Sequence, residues 1–290
     1  MNALTEHIKT KNRPVYMPYL TIGDPDFKST VEYAIAMIDA GADIIELGIP
    51  FSDPTADGPI IQAAMVRALK NKDFSLKNVF SVAREIHLKR PRIPLIFLTY
   101  LNPVLTYCSE VNSSKSKLKN RNAQASKEAN GWRKSVEIFL DDCKKSGIMG
   151  VVIPDLPFEE EEAEYFRTIC NKNGIGSVMM IAPNTGEERF EKICRLSSGF
   201  IYYVTSLGVT GERKELPKDI VTRVKRVQKL SKLPVLAGFG INTPDQVKEL
   251  KGIVDGVIVG SLNHRIIERC KTTAADELKK VTSEFVKALA

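Results

Sequence analysis

No run of this chain is apolar for long enough to cross a bilayer, which excludes a membrane-spanning helix. Its five cysteines (Cys108, Cys143, Cys170, Cys194, Cys270) are scattered, odd in number and never arranged Cys-x-x-Cys, so neither a disulfide framework nor a zinc knuckle is indicated. Buried thiols in a reducing compartment are expected instead. Histidine is scarce. His7, His87 and His264 lie far apart in helical sequence and supply no metal triad. No Gly-x-Gly-x-x-Gly follows an apolar strand, which argues against a dinucleotide cofactor, and no lysine sits at a strand end, which argues against Schiff-base chemistry. The opening residues 1–14 lack the apolar core of a signal peptide, so a cytosolic address is expected.

What is present is an ordinary soluble composition, 43% hydrophobic and 27% charged over 290 residues. The net charge of +7 looks like a nucleic-acid signal until it is located. Residues 109–134 hold seven basic side chains (Lys115, Lys117, Lys119, Arg121, Lys127, Arg133, Lys134) against two acids, and so carry most of the excess. The rest of the chain is nearly balanced. The basic stretch has only Trp132 at its edge and no interleaved aromatics, which speaks against nucleic-acid binding.

Hydrophobic patterning sets the architecture. Short runs at 15–22, 44–49, 94–100, 150–154, 177–182, 200–204, 234–237 and 254–259 are apolar on both faces. Helical sequence separates them, at 27–40, 60–69, 76–88, 132–145, 159–171, 187–196, 221–230 and 244–250, with another helix at the C-terminus and a short one over 1–11. Strands apolar throughout and alternating with helices predict a parallel sheet covered on both sides, and eight such units predict a (β/α)8 barrel, a TIM barrel, in a single domain spanning 1–290. A doubly wound open sheet competes, but the glycine-rich turn wanted after its first strand is missing. One segment breaks the alternation. Residues 109–133 are rich in Ser, Asn and Lys and cannot bury enough apolar surface to offset their ordering entropy, so a flexible insertion after the third strand is expected.

Chemistry concentrates in IIELGIPFSDPTADGP, residues 44–59. A buried-type strand holding Glu46 runs into a loop holding Asp53 and Asp57, closed by Gly58 and Pro59. An unpaired carboxylate is costly to bury, so Glu46 either pairs with a cation or works chemically. Asp53 and Asp57 read equally as turn formers, which leaves the acid pair a candidate for general acid–base catalysis. In a barrel, function gathers at the C-terminal strand ends, and those ends carry Tyr19, Glu46, Asp57, Tyr100, Asp155 and Tyr202. Glycine clusters follow strands six, seven and eight: Gly208 to Gly211 (GVTG), Gly238 to Gly240 (GFG) and Gly260-Ser261. Any one cluster could be a mere turn, but three neighbouring ones suit a phosphate approached by backbone amides. A phosphorylated substrate worked on by carboxylates, with neither cofactor nor metal, is the reading of the residues.

The loop ELGIPFSDPTADGP, together with MPYLTIGDP, TYLNPVL, VVIPDLPFEE, SLGVTG, GFGI and GS in the same order, resembles the tryptophan synthase alpha subunit along nearly the whole chain. That resemblance implies retro-aldol cleavage of indole-3-glycerol phosphate to indole and glyceraldehyde 3-phosphate. It implies that Glu46 takes the glycerol hydroxyl proton and protonates the ring carbon, and that Asp57 meets the indole N–H. It assigns Gly211, Gly240, Gly260 and Ser261 to the phosphate and Tyr19, Ile61, Leu98, Tyr100 and Tyr202 to the indole slot, although barrel packing alone would account for Leu98. Thr210 would belong to a lid and help to position Asp57. The partner implied is a beta subunit in an alpha2beta2 complex, and pyridoxal phosphate would belong to that partner.

Two features depart from the family pattern: Thr55 on the loop tip, and the 109–133 insertion near the expected docking face for the beta subunit. Readings outside this one are a barrel kept only to bind a partner and an isomerase of another phosphosugar.

Overall fold

Short strands that are apolar on both faces need a packed layer on each side, and the chain supplies both. The computed structural model describes residues 2–113, 131–156, 159–204, 220–238 and 240–290. Eight parallel strands close into one barrel in chain order: β1 (Val15–Thr21), β2 (Ile45–Gly48), β3 (Leu95–Leu98), β4 (Ile148–Val152), β5 (Gly176–Ile181), β6 (Ile201–Val204), β7 (Val235–Gly238) and β8 (Gly256–Val259). Closure runs from Val15 beside Gly256 to Pro18 beside Val259. Alternate residues face opposite ways: Val15, Met17 and Tyr19 of β1 and Ile96 and Leu98 of β3 fill the interior, while Tyr16, Leu20, Leu95 and Phe97 pack outward against helices. The (β/α)8 barrel expected from the alternation is the fold observed.

The helices are α1 (Ala3–Lys9), α2 (Phe27–Asp39), α3 (Pro59–Leu69), α4 (Leu76–Lys89), α5 (Leu101–Ser113), α6 (Gly131–Lys145), α7 (Glu161–Asn173), α8 (Glu187–Leu196), α9 (Ile220–Ser231), α10 (Pro244–Leu250), α11 (Ser261–Cys270) and α12 (Ala274–Leu289). Their starts follow local chemistry. Asp26 and Ser75 accept from the backbone N–H of Ser29 and Asn78, and Thr243 with Gln246 forms a capping box.

Helix α5 was not anticipated. The sequence composition places a polar insertion from 109, soon after the third strand, whereas a helix occupies 101–113 first. Pro103 reads as a turn former in sequence, but it falls in the first helical turn, where a missing N–H costs no hydrogen bond. Asp155 accepts from Leu101 N–H at 2.9 Å and satisfies one of the free donors at that end. Val104 and Tyr107 are buried, and the Tyr107 hydroxyl donates to Asp142 of α6. Of the expected flexible stretch, 109–113 and 131–133 are therefore helical, and 114–130 lie outside the described residues.

Helix α1 closes the N-terminal mouth. Leu4 is fully buried under the strand starts, where β-carbons on Gly150 and Gly199 would stand only 3.0 and 3.1 Å from its Cδ2. The absent side chains at Gly150 of β4 and at Gly199 just before β6 make the socket that Leu4 fills. Leu4→Ala should cost roughly 2–4 kcal/mol of stability, read as a lower urea midpoint at unchanged slope. A loss below about 0.5 kcal/mol would mean that the mouth does not depend on this plug.

Candidate active site

The opposite mouth holds a cleft of about 500 Å³. Glu46 on β2 and Asp57 on the following loop line one side. Gly240, Gly260 and Ser261, after β7 and β8, line the other. Tyr19, Ile61, Leu98 and Tyr202 make apolar walls between them, with Ile258 on the floor. Every described residue assigned to the site from sequence thus reaches one cleft except Tyr100. Thr210 and Gly211 lie outside the described residues.

Glu46 is buried, and its Oε1 has no hydrogen-bond partner. Burial, with the nearby Asp57 charge adding to it, pushes its carboxyl from an ordinary 4.5 up to about 8. Asp57 is raised by burial to about 6, against the opposing effect of a hydrogen bond from Tyr100. At that value it stays mostly ionised at pH 7. Near neutrality one carboxyl therefore holds a proton and the other does not.

Tyr100 stands behind Asp57 rather than on the cleft wall. Its hydroxyl donates to Asp57 Oδ2 at 2.5 Å and accepts from Ala56 N–H at 3.1 Å, and its ring stacks on Phe51. Burial first, and then the Asp57 charge, hold the phenol protonated. One tyrosine thereby fixes both the backbone and the carboxylate of the acid loop. Asp155, also expected at this face, is engaged at the start of α5.

Glycines give the mouth its shape. A β-carbon at Gly48 would lie 2.0 Å from the Tyr19 hydroxyl oxygen, and one at Gly238 would lie 2.7 Å from that of Tyr202. The register is the same in both places. Gly48 pairs with Thr21, two residues beyond Tyr19, and Gly238 pairs with Val204, two beyond Tyr202. An inward tyrosine on one strand leans over a glycine on the next, which keeps each ring against the wall and leaves the centre open.

At the opposite edge from the acids, Gly240 has φ +84°, a conformation that favours glycine. Gly260 caps α11, whose first residue is Ser261, so amide N–H groups and the positive end of a helix dipole meet at that edge of the cleft. Asn242 also lines it; its Nδ2 donates to Gly240 O at 2.9 Å, and Arg265 donates to its Oδ1 at 3.0 Å. Asn242 was missed in the sequence, where it reads as an ordinary residue before a helix cap. His7, His87 and His264 fall on three separate helices. Among the described residues no group of three His, Cys, Asp or Glu side chains is placed to hold a metal, and no helix is long and apolar enough to cross a membrane.

Fold and cleft together define a class: a (β/α)8 barrel enzyme equipped for carboxylate acid–base chemistry at its C-terminal strand ends. The family model for the tryptophan synthase alpha chain matches residues 5–123 and 131–289. A tryptophan synthase alpha chain of Leptospira interrogans is 41% identical over 288 residues, covering 98% of each chain. Among solved structures, tryptophan synthase subunit alpha from Legionella pneumophila superposes with a TM-score of 0.80 at 28% identity, covering 100% of this chain and 98% of that one. A chain of the tryptophan synthase complex from Pyrococcus furiosus gives 0.76 at 34% identity, covering 95% and 99%. The chain belongs to the tryptophan synthase alpha chain family. It is a carbon–carbon lyase that cleaves indole-3-glycerol phosphate in tryptophan biosynthesis. The alpha family works without a cofactor, and the pyridoxal phosphate of tryptophan synthase resides in the beta subunit.

Burial of Glu46 has a thermodynamic signature. Its folded pKa lies above the unfolded value, so the folded state holds the proton more tightly and stability falls as pH rises from about 4.5 through about 8. Glu46→Gln removes that penalty. The variant should match the wild type at pH 4 and exceed it by roughly 3–5 kcal/mol above pH 8, measured by urea unfolding across the range. A difference that does not change with pH would show that the carboxyl is not strained by burial.

Proposed function

We propose that Glu46 serves the cleavage as acid and then as base, with Asp57 as the fixed negative charge. The observation that carries this reading is the buried carboxyl of Glu46, its Oε1 without a partner, facing the same cleft as Asp57, with burial raising the proton affinity of Glu46 above that of Asp57. Glu46 begins with its proton and gives it to the ring carbon that bears the glycerol chain. The ring nitrogen becomes cationic, and the Asp57 carboxylate, held by Tyr100, accepts its N–H and stabilises the charge. Glu46, now a carboxylate, takes the proton of the hydroxyl on the adjacent chain carbon. The carbon–carbon bond breaks, its electron pair returns to the ring, and the chain carbon becomes the aldehyde of glyceraldehyde 3-phosphate. Glu46 ends protonated and ready for the next turnover.

In this reading the phosphate sits at Gly240, Gly260 and Ser261, joined by Gly211. The indole ring lies among Tyr19, Ile61, Leu98 and Tyr202, with Tyr100 acting through Asp57, and Thr210 belongs to a covering lid. The partner is a tryptophan synthase beta subunit in an alpha2beta2 assembly, in the cytoplasm, supported by family membership and by the likeness to a chain of the Pyrococcus furiosus complex.

The test is indole release from indole-3-glycerol phosphate, alone and with a beta subunit, beside Glu46→Gln. The variant should lose about 10²–10⁴-fold in kcat. Because Glu46 starts protonated and Asp57 ionised, kcat/KM should be bell-shaped, with limbs near 6 and 8 that belong to the coupled pair. A rate still climbing at pH 9 would overturn the acid-first order, and a fully active Glu46→Gln would overturn the assignment.

A further inference from the structure

Behind the Tyr19 wall lies a polar junction that the cleavage chemistry does not use. Thr21 at the end of β1, Asp24 in the loop that follows it and His264 on α11 are all buried there. The backbone N–H of Thr21 donates to His264 Nε2 at 3.1 Å, and the Thr21 hydroxyl lies 3.2 Å from the same nitrogen. A donor aimed at Nε2 makes that nitrogen the acceptor, so the ring proton sits on Nδ1 and is donated to Asp24 Oδ2, 2.8 Å away. Asp24 in turn accepts two hydrogen bonds from Arg67, at 2.7 and 2.8 Å. On the cleft side, the Thr21 hydroxyl is 3.2 Å from the hydroxyl of Tyr19. The preceding residue of α11 reinforces the seam, since Asn263 Nδ2 donates to Tyr19 O at 3.2 Å.

The junction ties together three elements that end at the cleft. β1 sets Tyr19 directly beside Glu46 in register. α3, which carries Arg67, starts at Pro59, two residues after Asp57. α11 starts at Ser261, and a β-carbon on Gly260 would already stand 3.3 Å from the Tyr19 ring. His264 joins α11 to β1 through Thr21 and to Arg67 of α3 through Asp24, beside the direct Asn263–Tyr19 and Glu268–Arg67 contacts.

We propose that His264 is a positioning residue for the lyase reaction: it registers the first turn of α11, with Gly260 and Ser261, against the strand and helix that flank Glu46 and Asp57. The proposal rests on the reading of Gly260 and Ser261 as part of the phosphate seat. A substrate anchored by its phosphate reaches the acids only if seat and acids keep a fixed separation. Removing the imidazole leaves Thr21 N–H unpaired in a dry interior and Asp24 tied to α3 alone, so the first turn of α11 keeps only the Asn263–Tyr19 bond to β1 and the exposed Glu268–Arg67 pair to α3, and its position is less tightly fixed. Misplacement of about 1 Å costs up to about 10²-fold in rate without abolishing binding.

The experiment compares wild type, His264→Leu and His264→Gln, the last of which keeps one donor and one acceptor. Indole release is measured under saturating substrate, inorganic phosphate binding is titrated separately, and both are read well below each variant's thermal midpoint. The expected result for His264→Leu is a fall in kcat of about 10–100-fold with phosphate affinity within about threefold of wild type, and substantial recovery of kcat in His264→Gln. A folded His264→Leu with kcat within about twofold of wild type overturns the inference, as does loss of phosphate binding together with activity. If the wild type cleaves substrate but binds no phosphate, the phosphate seat itself is misread and the proposal falls with it. Should His264→Leu not fold, His264→Asn, which still reaches Asp24 but not Thr21, is judged by the same criteria.

Discussion

The structure depends on keeping one carboxyl, Glu46, in a place where it cannot be solvated. Its Oε1 has no partner and its side chain is closed off from water. Such a group is tolerated only where a rigid surrounding holds it, and a barrel strand paired on both sides is such a surrounding. The same burial that costs stability lets the group give up a proton near neutral pH, which an exposed glutamate cannot do usefully. Asp57 needs the opposite treatment. It sits on a loop, and Tyr100 donates to its carboxylate, so it keeps most of its charge while its neighbour loses its own. Two like groups at one mouth avoid mutual repulsion because their surroundings separate their proton affinities.

An open cleft at the end of a closed barrel is also a packing problem, because eight strands of this size normally fill their interior with side chains. Here two tyrosines, Tyr19 and Tyr202, lean across glycines of the neighbouring strand instead of toward the axis. The void between them is lined with apolar groups on the sides, carboxyls at one edge and glycine amides at the other. That division matches a substrate with a flat apolar ring at one end and an anion at the other.

Glu46, Asp57 and the glycines Gly240 and Gly260 were legible in the sequence as cleft residues because each breaks a local rule: an acid in an apolar strand, an acid in a Pro/Gly-shaped loop, and glycines repeated after strands. The barrel was legible because eight strands share the same two-sided apolar pattern. Helix α5 was not, since Pro103 marks both turns and first helical turns, and only the distant Asp155 decides between them. Tyr100 reads as one more aromatic at a strand end, and nothing local says that its hydroxyl turns to a loop forty-three residues earlier. His264 obeys local rules entirely. It falls on the buried stripe of α11, where a single histidine looks like a packed residue, and its partners are more than two hundred residues away in the chain.

That last case shows what registers a site assembled from strand ends scattered along the whole chain. Backbone pairing fixes β1 against both β2 and β8, but it ends with the strands, and the chemistry lies beyond them. Past the strand ends, helices α3 and α11 are held to β1 by side chains: Arg67 to Asp24, Asn263 to the backbone of Tyr19, and His264 to both Thr21 and Asp24. Apolar contacts alone would let a helix slide over a sheet by a fraction of a turn at little cost, because they are not directional. Hydrogen bonds with a fixed donor, a fixed acceptor and no water to replace them do not permit that slide. A directional polar junction in an otherwise apolar seam is therefore the means by which this barrel holds its acid edge and its glycine edge at one spacing.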